Sequence, residues 1–379
     1  MTRTVGVEEE FLLLDARSGE PVPAAGRVLS AVGGHPWQHA GGGFHQELFQ
    51  TQVEAATGIC TTLGDLHRQL QGTRFLLAAA AQQEGLGLVS VGTPVLAASS
   101  PRPSSGERFT HITGMYQGIV ADYQSSGCHV HVGVKDRETA VAVINHLRPW
   151  LPTLLALSAN SPFDRGRDSG YASWRTVQQS RFPGAGVTPW FDSAAAYDRE
   201  VERLVSCGVL VDDAMSFWLA RPGIGLPTVE VRAADAAGTA DEAVLQAALT
   251  RALITTAESS LTEGREAPRV SDQVCAAAVW NAARYGLDGP GINPFEERSV
   301  HAIEVLDQLV LHVSQALTDS GDLPAVSSLL AQVKRAGTGA ARQRRAAAGG
   351  LGSVIEMLKG ETMDGQFAWQ RAQTYRESA

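Results

Sequence analysis

Residues 126–134 read SGCHVHVGV, and the alternation of histidine and valine here decides which fold we expect. Successive side chains of a β-strand point to opposite faces, so His129 and His131 would share one face while the valines pack on a core. Neutral imidazole binds metal ions and contacts phosphate, which makes the histidine face a candidate for chemistry. The alternative is a pair of hydrogen-bonded histidines on a solvated sheet face.

The composition is typical of a globular protein with a mildly acidic charge. The chain has 379 residues, 44% of them hydrophobic and 19% charged, with a formal net charge of −9, which argues against a nucleic-acid-binding surface. The start lacks an apolar signal core, and no apolar stretch is long enough to span a bilayer. The four cysteines are widely spaced without a CxxC pair, which favours reduced thiols. We therefore expect a cytoplasmic protein without membrane or nucleic-acid partners.

A second stretch, GVEEEFLLLD at residues 6–15, also has the pattern of a strand and places Glu8 and Glu10 on one face. Like charges on one face repel each other, so a strand would rarely carry them without a cation nearby. The alternative is an exposed edge strand whose glutamates are solvated.

Residues 45–58, HQELFQTQVEAATG, contain Glu47 and Glu54 in a stretch expected to be extended over about 45–55. In a regular strand these two residues would point to opposite faces, so either a bulge intervenes or Glu47 begins the strand and reaches inward. Glu54 is the better candidate for a buried acid, because Val53 precedes it and two alanines follow. Ordinary surface glutamates are the alternative.

Residues 227–235, PTVEVRAAD, place Thr228, Glu230 and Arg232 on one face of a further strand. A glutamate beside an arginine is often a structural ion pair. The alternative is that Glu230 holds a cation while Arg232 holds a phosphate, for which its planar guanidinium is suited.

Together, three predicted strands each present a polar pair, and these pairs could line one concave sheet. Oxygen ligands with few nitrogens and no thiolates favour Mg²⁺ or Mn²⁺ over Zn²⁺. Such ions bind nucleoside triphosphates and neutralise charge in phosphoryl transfer. The sequence has no GxxxxGK[ST] motif, so a P-loop enzyme is not expected.

The remaining pattern predicts an α+β fold. The strands alternate polar and apolar residues, which indicates an antiparallel sheet with one polar face. We expect a catalytic core of sheet and helices at 1–240, a long functional loop at 161–192, and a helical region at 241–379 packed on the core as part of one structural domain. A basic segment at 334–350 is expected to be a solvated loop, with a phosphate lid as the alternative.

Several motifs occur in an order that resembles the bacterial carboxylate–amine ligase family, also called type 2 glutamate–cysteine ligases. The resemblance spans nearly the whole chain and rests on GVEEEFLLLD, VEAATGIC, SGCHVHVGV, LPTLLALSANSPF, GRDSGYASWR, PTVEVRAAD and ARQRRAAAG. It implies a glutamine-synthetase-like fold, in which a curved antiparallel sheet binds metal ions and ATP on its concave face and helices pack on its convex side. The implied reaction is ATP-dependent amide formation through an acyl phosphate, from a small carboxylate and a small amine.

The resemblance also implies roles for individual residues. Arg232 would contact phosphate and act with His129 as a catalytic residue, His131 would face the nucleotide, and Arg175 would hold a substrate carboxylate or the acyl phosphate. The implied cofactors are ATP and Mg²⁺ or Mn²⁺, and a homodimer is among the expected assemblies. The implied metal ligands are Glu8, Glu10, Glu47, Glu54, His129 and Glu230.

The sequence departs from the family at three positions. At Pro94, relatives usually carry a His before the Pro. At Asn160 they commonly carry a Ser, and at Ser169 a Thr. We expect these positions near the substrate end of the site, so the acid and amine could differ from glutamate and cysteine. A guanidino kinase and an HxH metallohydrolase are the alternative enzyme classes. The metallohydrolase would leave Glu8, Glu10 and Arg232 without a role.

Overall fold

The computed structural model describes residues 3–97 and 101–363 of the chain. Seven strands form one antiparallel sheet in the order β10-β11-β5-β1-β3-β2, with β4 paired to the second half of β1. The remaining strands form three two-stranded pairs. The strands are β1 (Val5–Asp15), β2 (Gly43–Gln46), β3 (Gln52–Ala56), β4 (Leu86–Val89), β5 (Gly127–Gly133), β6 (Phe163–Asp164), β7 (Arg167–Asp168), β8 (Ala185–Gly186), β9 (Phe217–Trp218), β10 (Ala220–Pro222), β11 (Thr228–Asp235), β12 (Pro290–Asn293) and β13 (Arg298–His301).

Helices fill the connections between the strands and most of the chain after β11. Thr239 begins the longest helix, α8, with a capping box in which its side chain and that of Glu242 exchange hydrogen bonds with the backbone. The helices are α1 (Ala25–Val32), α2 (Leu63–Gln83), α3 (Glu107–Tyr116), α4 (Arg137–Leu147), α5 (Leu151–Ser158), α6 (Trp174–Gln179), α7 (Ala194–Ser206), α8 (Ala240–Thr262), α9 (Asp272–Tyr285), α10 (Ala302–His312), α11 (Ser314–Asp319), α12 (Leu323–Ala336), α13 (Gly339–Ala346) and α14 (Leu351–Met363).

The main core lies between the sheet and the helices. Val7, Val130 and Val229 of three adjacent strands are buried and belong to one apolar cluster with residues of α2, α4, α5 and α8. The alternation predicted for these strands is therefore present, with valines on the core side. This arrangement confirms the expected α+β class with an antiparallel sheet.

Two local expectations were wrong. The stretch at 45–55 is two antiparallel strands, β2 and β3, because the chain turns between them. The basic segment at 334–350 comprises the end of α12, all of α13 and a short 3-10 helix. It is not a solvated loop, because Arg342 within it is partly buried and forms ion pairs with Glu242 and Glu361.

The long stretch at 161–192 is irregular apart from α6 and the two-residue strands β6, β7 and β8. The helical region begins where α8 starts, and residues 364–379 of the expected 241–379 unit lie outside the described residues. The division at residue 240 stays a prediction. Within the described ranges, none of the helices has the length and apolar character needed to cross a membrane.

A buried ion pair fixes β1 from the core side. Glu9 points away from Glu8 and Glu10 and pairs with Arg74 of α2, and both side chains are at most 2% exposed. Arg74 Nε and Nη2 donate to the two Glu9 carboxylate oxygens at 3.0 and 2.6 Å. The guanidinium also donates to three backbone carbonyls, at residues 237, 238 and 362, so all five of its N–H groups are used.

We expect Arg74→Met to lower the free energy of unfolding by about 3–5 kcal/mol, because it leaves the Glu9 carboxylate buried without a partner. Urea unfolding followed by circular dichroism measures this loss. Arg68 lies on the same helix and pairs with Asp65, but its side chain is 72% exposed, so Arg68→Met should cost less than about 1 kcal/mol. Equal losses in the two variants would contradict the importance of the buried pair.

Candidate active site

The register of three neighbouring strands brings the polar pairs together on the face opposite the core. β1 pairs with β5 so that Glu8 lies opposite His129, and β5 pairs with β11 so that His131 lies opposite Glu230. β11 carries one extra residue between Val231 and the next paired position. The three pairs predicted separately from the sequence thus form one continuous polar surface.

A first group of metal-ligand type comprises Glu8, His131 and Glu230, whose ligand atoms lie within 4.8 Å of one another. His131 Nε2 is 3.2 Å from Glu8 Oε1, and His131 Nδ1 is 3.2 Å from Thr228 Oγ1. Burial alone would raise the pKa of Glu8, but contacts with His129 and His131 hold it well below its ordinary value. Glu8 is therefore a carboxylate at neutral pH, as a metal ligand must be.

A second group comprises Glu10, Glu47 and Glu54, again within 4.8 Å of one another. Glu10 lies opposite Glu54 across β1 and β3, and Glu47 joins them from the turn that follows β2. Burial and the Glu47 charge raise the pKa of Glu10 to about 8, and the same two causes raise the pKa of Glu54 well above its ordinary value. A divalent cation among these oxygens would relieve their repulsion.

His129 lies between the two groups. Its Nδ1 is 3.4 Å from Glu8 Oε2, and its Nε2 is 3.7 Å from Glu10 Oε1. Burial and the nearby Arg232 lower the pKa of His129 to about 4, and among the described residues its Nε2 has no hydrogen-bond partner. A neutral imidazole between two sets of carboxylate oxygens fits Mg²⁺ or Mn²⁺ in its donor chemistry.

Two arginines enclose Glu230. Arg232 forms a short ion pair with Glu230 Oε1, and its Nη1 also lies 3.4 Å from His129 Nδ1. Arg221 of β10 donates from Nε to Glu230 Oε2 at 2.7 Å and from Nη2 to Oε1 at 3.2 Å. Arg221 also binds the carbonyl oxygen of Ala214 at 2.7 Å, so it ties the carboxylate to the segment before β9. Burial opposes ionisation of Glu230, but the two arginines lower its pKa strongly.

Two cavities flank this surface. One, of about 280 Å³, is lined by both Glu10 and Arg175, together with apolar side chains that include Phe109 and Phe217. The other, of about 580 Å³, has mainly apolar walls, and it meets the polar surface at Glu8. This larger cavity also contacts His131 and Thr228. The first group of metal-ligand type therefore lies where the two cavities approach each other.

Arg175 lies on α6, not in an irregular loop, and it lines the smaller cavity. All the predicted site residues thus lie on this polar surface or beside it. Sequence reasoning missed several other residues that line the smaller cavity, because no motif or strand alternation marks them. They are Tyr123, Ser125, Gln179 and Arg221.

The three departures from the family pattern lie outside both cavities. The Asn160 amide donates to the carbonyl oxygens of Ser90 at 3.1 Å and Ala236 at 2.8 Å, and Ser169 Oγ donates to that of Pro162 at 2.9 Å. Asn160 and Ser169 therefore brace loops. The expectation that these positions lie near the substrate end of the site stays a prediction.

Known structures share this fold. A glutamate–cysteine ligase from Francisella tularensis, solved in complex with AMP, superposes with a TM-score of 0.67 at 12% identity, covering 100% of this chain and 94% of that one. The Pup ligase PafA, solved in complex with Pup, gives a TM-score of 0.55 at 14% identity, covering 98% of this chain and 76% of that one. At such low identity these likenesses concern the fold alone, and they confirm the ligase fold that the sequence motifs implied.

Sequence relatives extend the comparison over the whole chain. A Saccharopolyspora erythraea protein named "putative glutamate–cysteine ligase 2-2" is 55% identical, covering 96% of this chain and 93% of its own length. A Salinispora tropica protein named "putative glutamate–cysteine ligase 2" is 42% identical, covering 91% and 90%. The family model for glutamate–cysteine ligase family 2 matches residues 4–368. The chain therefore belongs to glutamate–cysteine ligase family 2.

Proposed function

We propose that the protein is an ATP-dependent carboxylate–amine ligase that joins glutamate and cysteine, or a related acid and amine, through an amide bond. A carboxylate oxygen of the acid attacks the γ-phosphorus of ATP and ADP leaves. The amine nitrogen then attacks the acyl carbon, and phosphate leaves as the amine loses a proton. The observation that carries the proposal is a single polar surface on which the first and second groups of metal-ligand type lie on either side of His129. Arg175 and Arg232 lie beside them.

Mg²⁺ or Mn²⁺ would be held by the two groups already described. Glu8, Glu230 and His131 would hold one ion, Glu10, Glu47 and Glu54 another, and His129 could serve either. When bound, such ions neutralise the charge of the nucleotide phosphates. His131 is expected to face the nucleotide. It would also be a metal ligand, because it lies in the first group.

The larger cavity is suited to the nucleoside of ATP. Its walls are mostly apolar and include Ile59 and Leu226, which are 66% and 55% exposed. A flat base packs well against such groups, and four glycines of the wall add no side chain there. The phosphates would then point toward Glu8 and the first metal group, where the two cavities approach each other.

The smaller cavity would take the acid and the amine. Arg175 lines this cavity, and a guanidinium is the natural partner of a carboxylate. Arg232 lies beside Glu230, so its remaining N–H groups could bind the phosphoryl oxygens as charge develops on them. The free state of all four cysteines agrees with a cytoplasmic location, and a homodimer stays a prediction.

The direct test is an assay of ADP release with mass detection of the product. With Mg²⁺, ATP, L-glutamate and L-cysteine, or another pair from a panel of acids and amines, we expect ADP and an amide in equal amounts. EDTA should abolish turnover, because the clustered carboxylates need a divalent cation. A stable phosphorylated guanidino product would instead indicate the kinase. Hydrolysis without ATP, dependent on a transition metal, would indicate the metallohydrolase.

We expect Glu8→Gln, Glu10→Gln and Glu230→Gln each to reduce kcat by about a hundredfold or more, since losing even an outer partner of a metal ligand typically costs about 10–100-fold. The amide is close in shape but a poor ligand for a hard cation. Mg²⁺ titration of activity measures the effect, with Glu304→Gln of the exposed α10 surface as the control. Near-normal activity in all three variants would exclude this metal surface.

We expect Arg232→Ala to lower kcat by about 10²–10³ while the KM for ATP stays within roughly tenfold, because the guanidinium acts most strongly on the transferring phosphoryl group. Arg232→Lys should also be impaired, since lysine lacks the planar fork. The control is Arg203→Ala, because Arg203 forms an exposed ion pair with Glu200. If Arg232 is only the structural partner of Glu230, the melting temperature should fall while turnover at low temperature is retained.

A further inference from the structure

The side chain of Arg175 is almost fully buried, with only 1% exposed, yet two of its guanidinium nitrogens have no hydrogen-bond partner in the part of the chain that the structure describes. Among the described residues, its Nε and Nη1 donate no hydrogen bond. Its Nη2 donates to the carbonyl oxygen of Arg232 at 3.5 Å. A buried guanidinium with unused donors is costly, so other interactions must hold it in this position.

Asp235, at the end of β11, is the acid closest to Arg175. Its side chain is fully buried, and Oδ1 lies 3.9 Å from Arg175 Nη1. The carboxylate accepts hydrogen bonds from the backbone N–H of Asn160 at 2.9 Å, from Ser161 Oγ at 2.7 Å and from Ser173 Oγ at 2.8 Å. Burial raises the pKa of Asp235, whereas Arg175 and these donors oppose the rise. The three groups hydrogen-bonded to the carboxylate all donate to it, which fits the charged form.

The two serines connect Asp235 to the backbone of α6. Ser173 is the N-cap of this helix, and its Oγ accepts a hydrogen bond from the backbone N–H of Thr176 at 3.3 Å. Ser161 Oγ accepts a hydrogen bond from the backbone N–H of Arg175 itself, at 3.1 Å. Asp235 thus holds both the start of the helix and the residue that carries the guanidinium.

Two glycines, one of them in β5, lie in close contact with the same groups. A Cβ on Gly127 would lie 2.4 Å from Arg175 Nη2, and a Cβ on Gly92 would lie 2.9 Å from Asp235 Cγ. Gly127 also donates its backbone N–H to Glu10 Oε2 at 2.7 Å. The Arg175 guanidinium therefore packs directly against β5, whose Gly127 N–H binds Glu10 of the second group.

We propose that Asp235 is a positioning residue, which orients Arg175 through Ser161, Ser173 and its own charge so that the Arg175 guanidinium binds the carboxylate of the acid substrate. This inference rests on the proposed ligase function and extends it to a residue that does not line the smaller cavity. Asp235 should consequently govern the affinity for the acid, while the nucleotide cavity is independent of it.

The test measures KM separately for the acid and for ATP, with L-glutamate and L-cysteine as the probes. We expect Asp235→Asn to raise the KM for L-glutamate about tenfold or more, in line with the loss of a charge-assisted contact, and to leave the KM for ATP within about threefold. Ser173→Ala should shift the same constant in the same direction by less, and it serves as the test variant if Asp235→Asn does not fold. Asn145→Ala is the control, because Asn145 is buried and braces Phe191 away from the site.

A purely structural role would lower the melting temperature of Asp235→Asn as in Asn145→Ala and leave the KM for L-glutamate unchanged, and this result would overturn the proposal. Crystal structures of the parent and Asp235→Asn supply a readout that does not depend on turnover. We expect the Arg175 guanidinium to move away from Gly127 in the variant, and an unchanged position would also overturn the proposal. A parent that forms no amide with any acid and amine would refute the ligase function alone, and the positioning would then be judged from the crystal structures.

Discussion

The hydrogen-bonded register of β1 against its neighbours is the constraint on which the rest of the structure depends. A shift of one residue would turn Glu8 and Glu10 toward the core and Glu9 toward the cavities. The pair between Glu9 and Arg74 opposes such a shift, because Arg74 can satisfy all five of its N–H groups only with Glu9 on the core side. One acid of three adjacent glutamates thus fixes the direction in which the other two point.

Strand alternation was sufficient to predict the polar surface on β1, β5 and β11, because the direction of a side chain in a strand is a local property. Strand alternation did not predict where the Glu47 side chain lies. Glu47 follows β2, and whether the chain continues or turns there depends on how β3 pairs. Strand alternation also failed for Arg221, whose contact with Glu230 depends on the pairing of β10 with β11. Contacts that depend on register between separate segments leave no periodic signal in either segment.

The basic segment at 334–350 illustrates the same limit in a helix. Its arginines are typical of a solvated stretch when only the local sequence is considered. Arg342 instead meets Glu242 at the start of α8 and Glu361 in α14, and Arg344 meets Asp168 of β7. Acids from distant segments neutralise Arg342 and Arg344, so that α13 can pack against the rest of the protein. The motif ARQRRAAAG identified the family, but it did not reveal this structural role of the arginines.

The hydrogen bond from Arg74 to the carbonyl oxygen of Thr362 has a consequence for biosynthesis. These residues are 288 positions apart, and Thr362 Oγ1 also accepts the backbone N–H of Ser90, next to β4. The ribosome therefore synthesises the acidic strand β1 long before it synthesises the segment around Thr362, which completes the hydrogen bonds of Arg74, the partner of Glu9. Until that segment is made, Arg74 lacks its acceptor at residue 362, and contacts this distant in sequence form slowly. The growing polypeptide thus depends on remaining unaggregated until α14 has emerged.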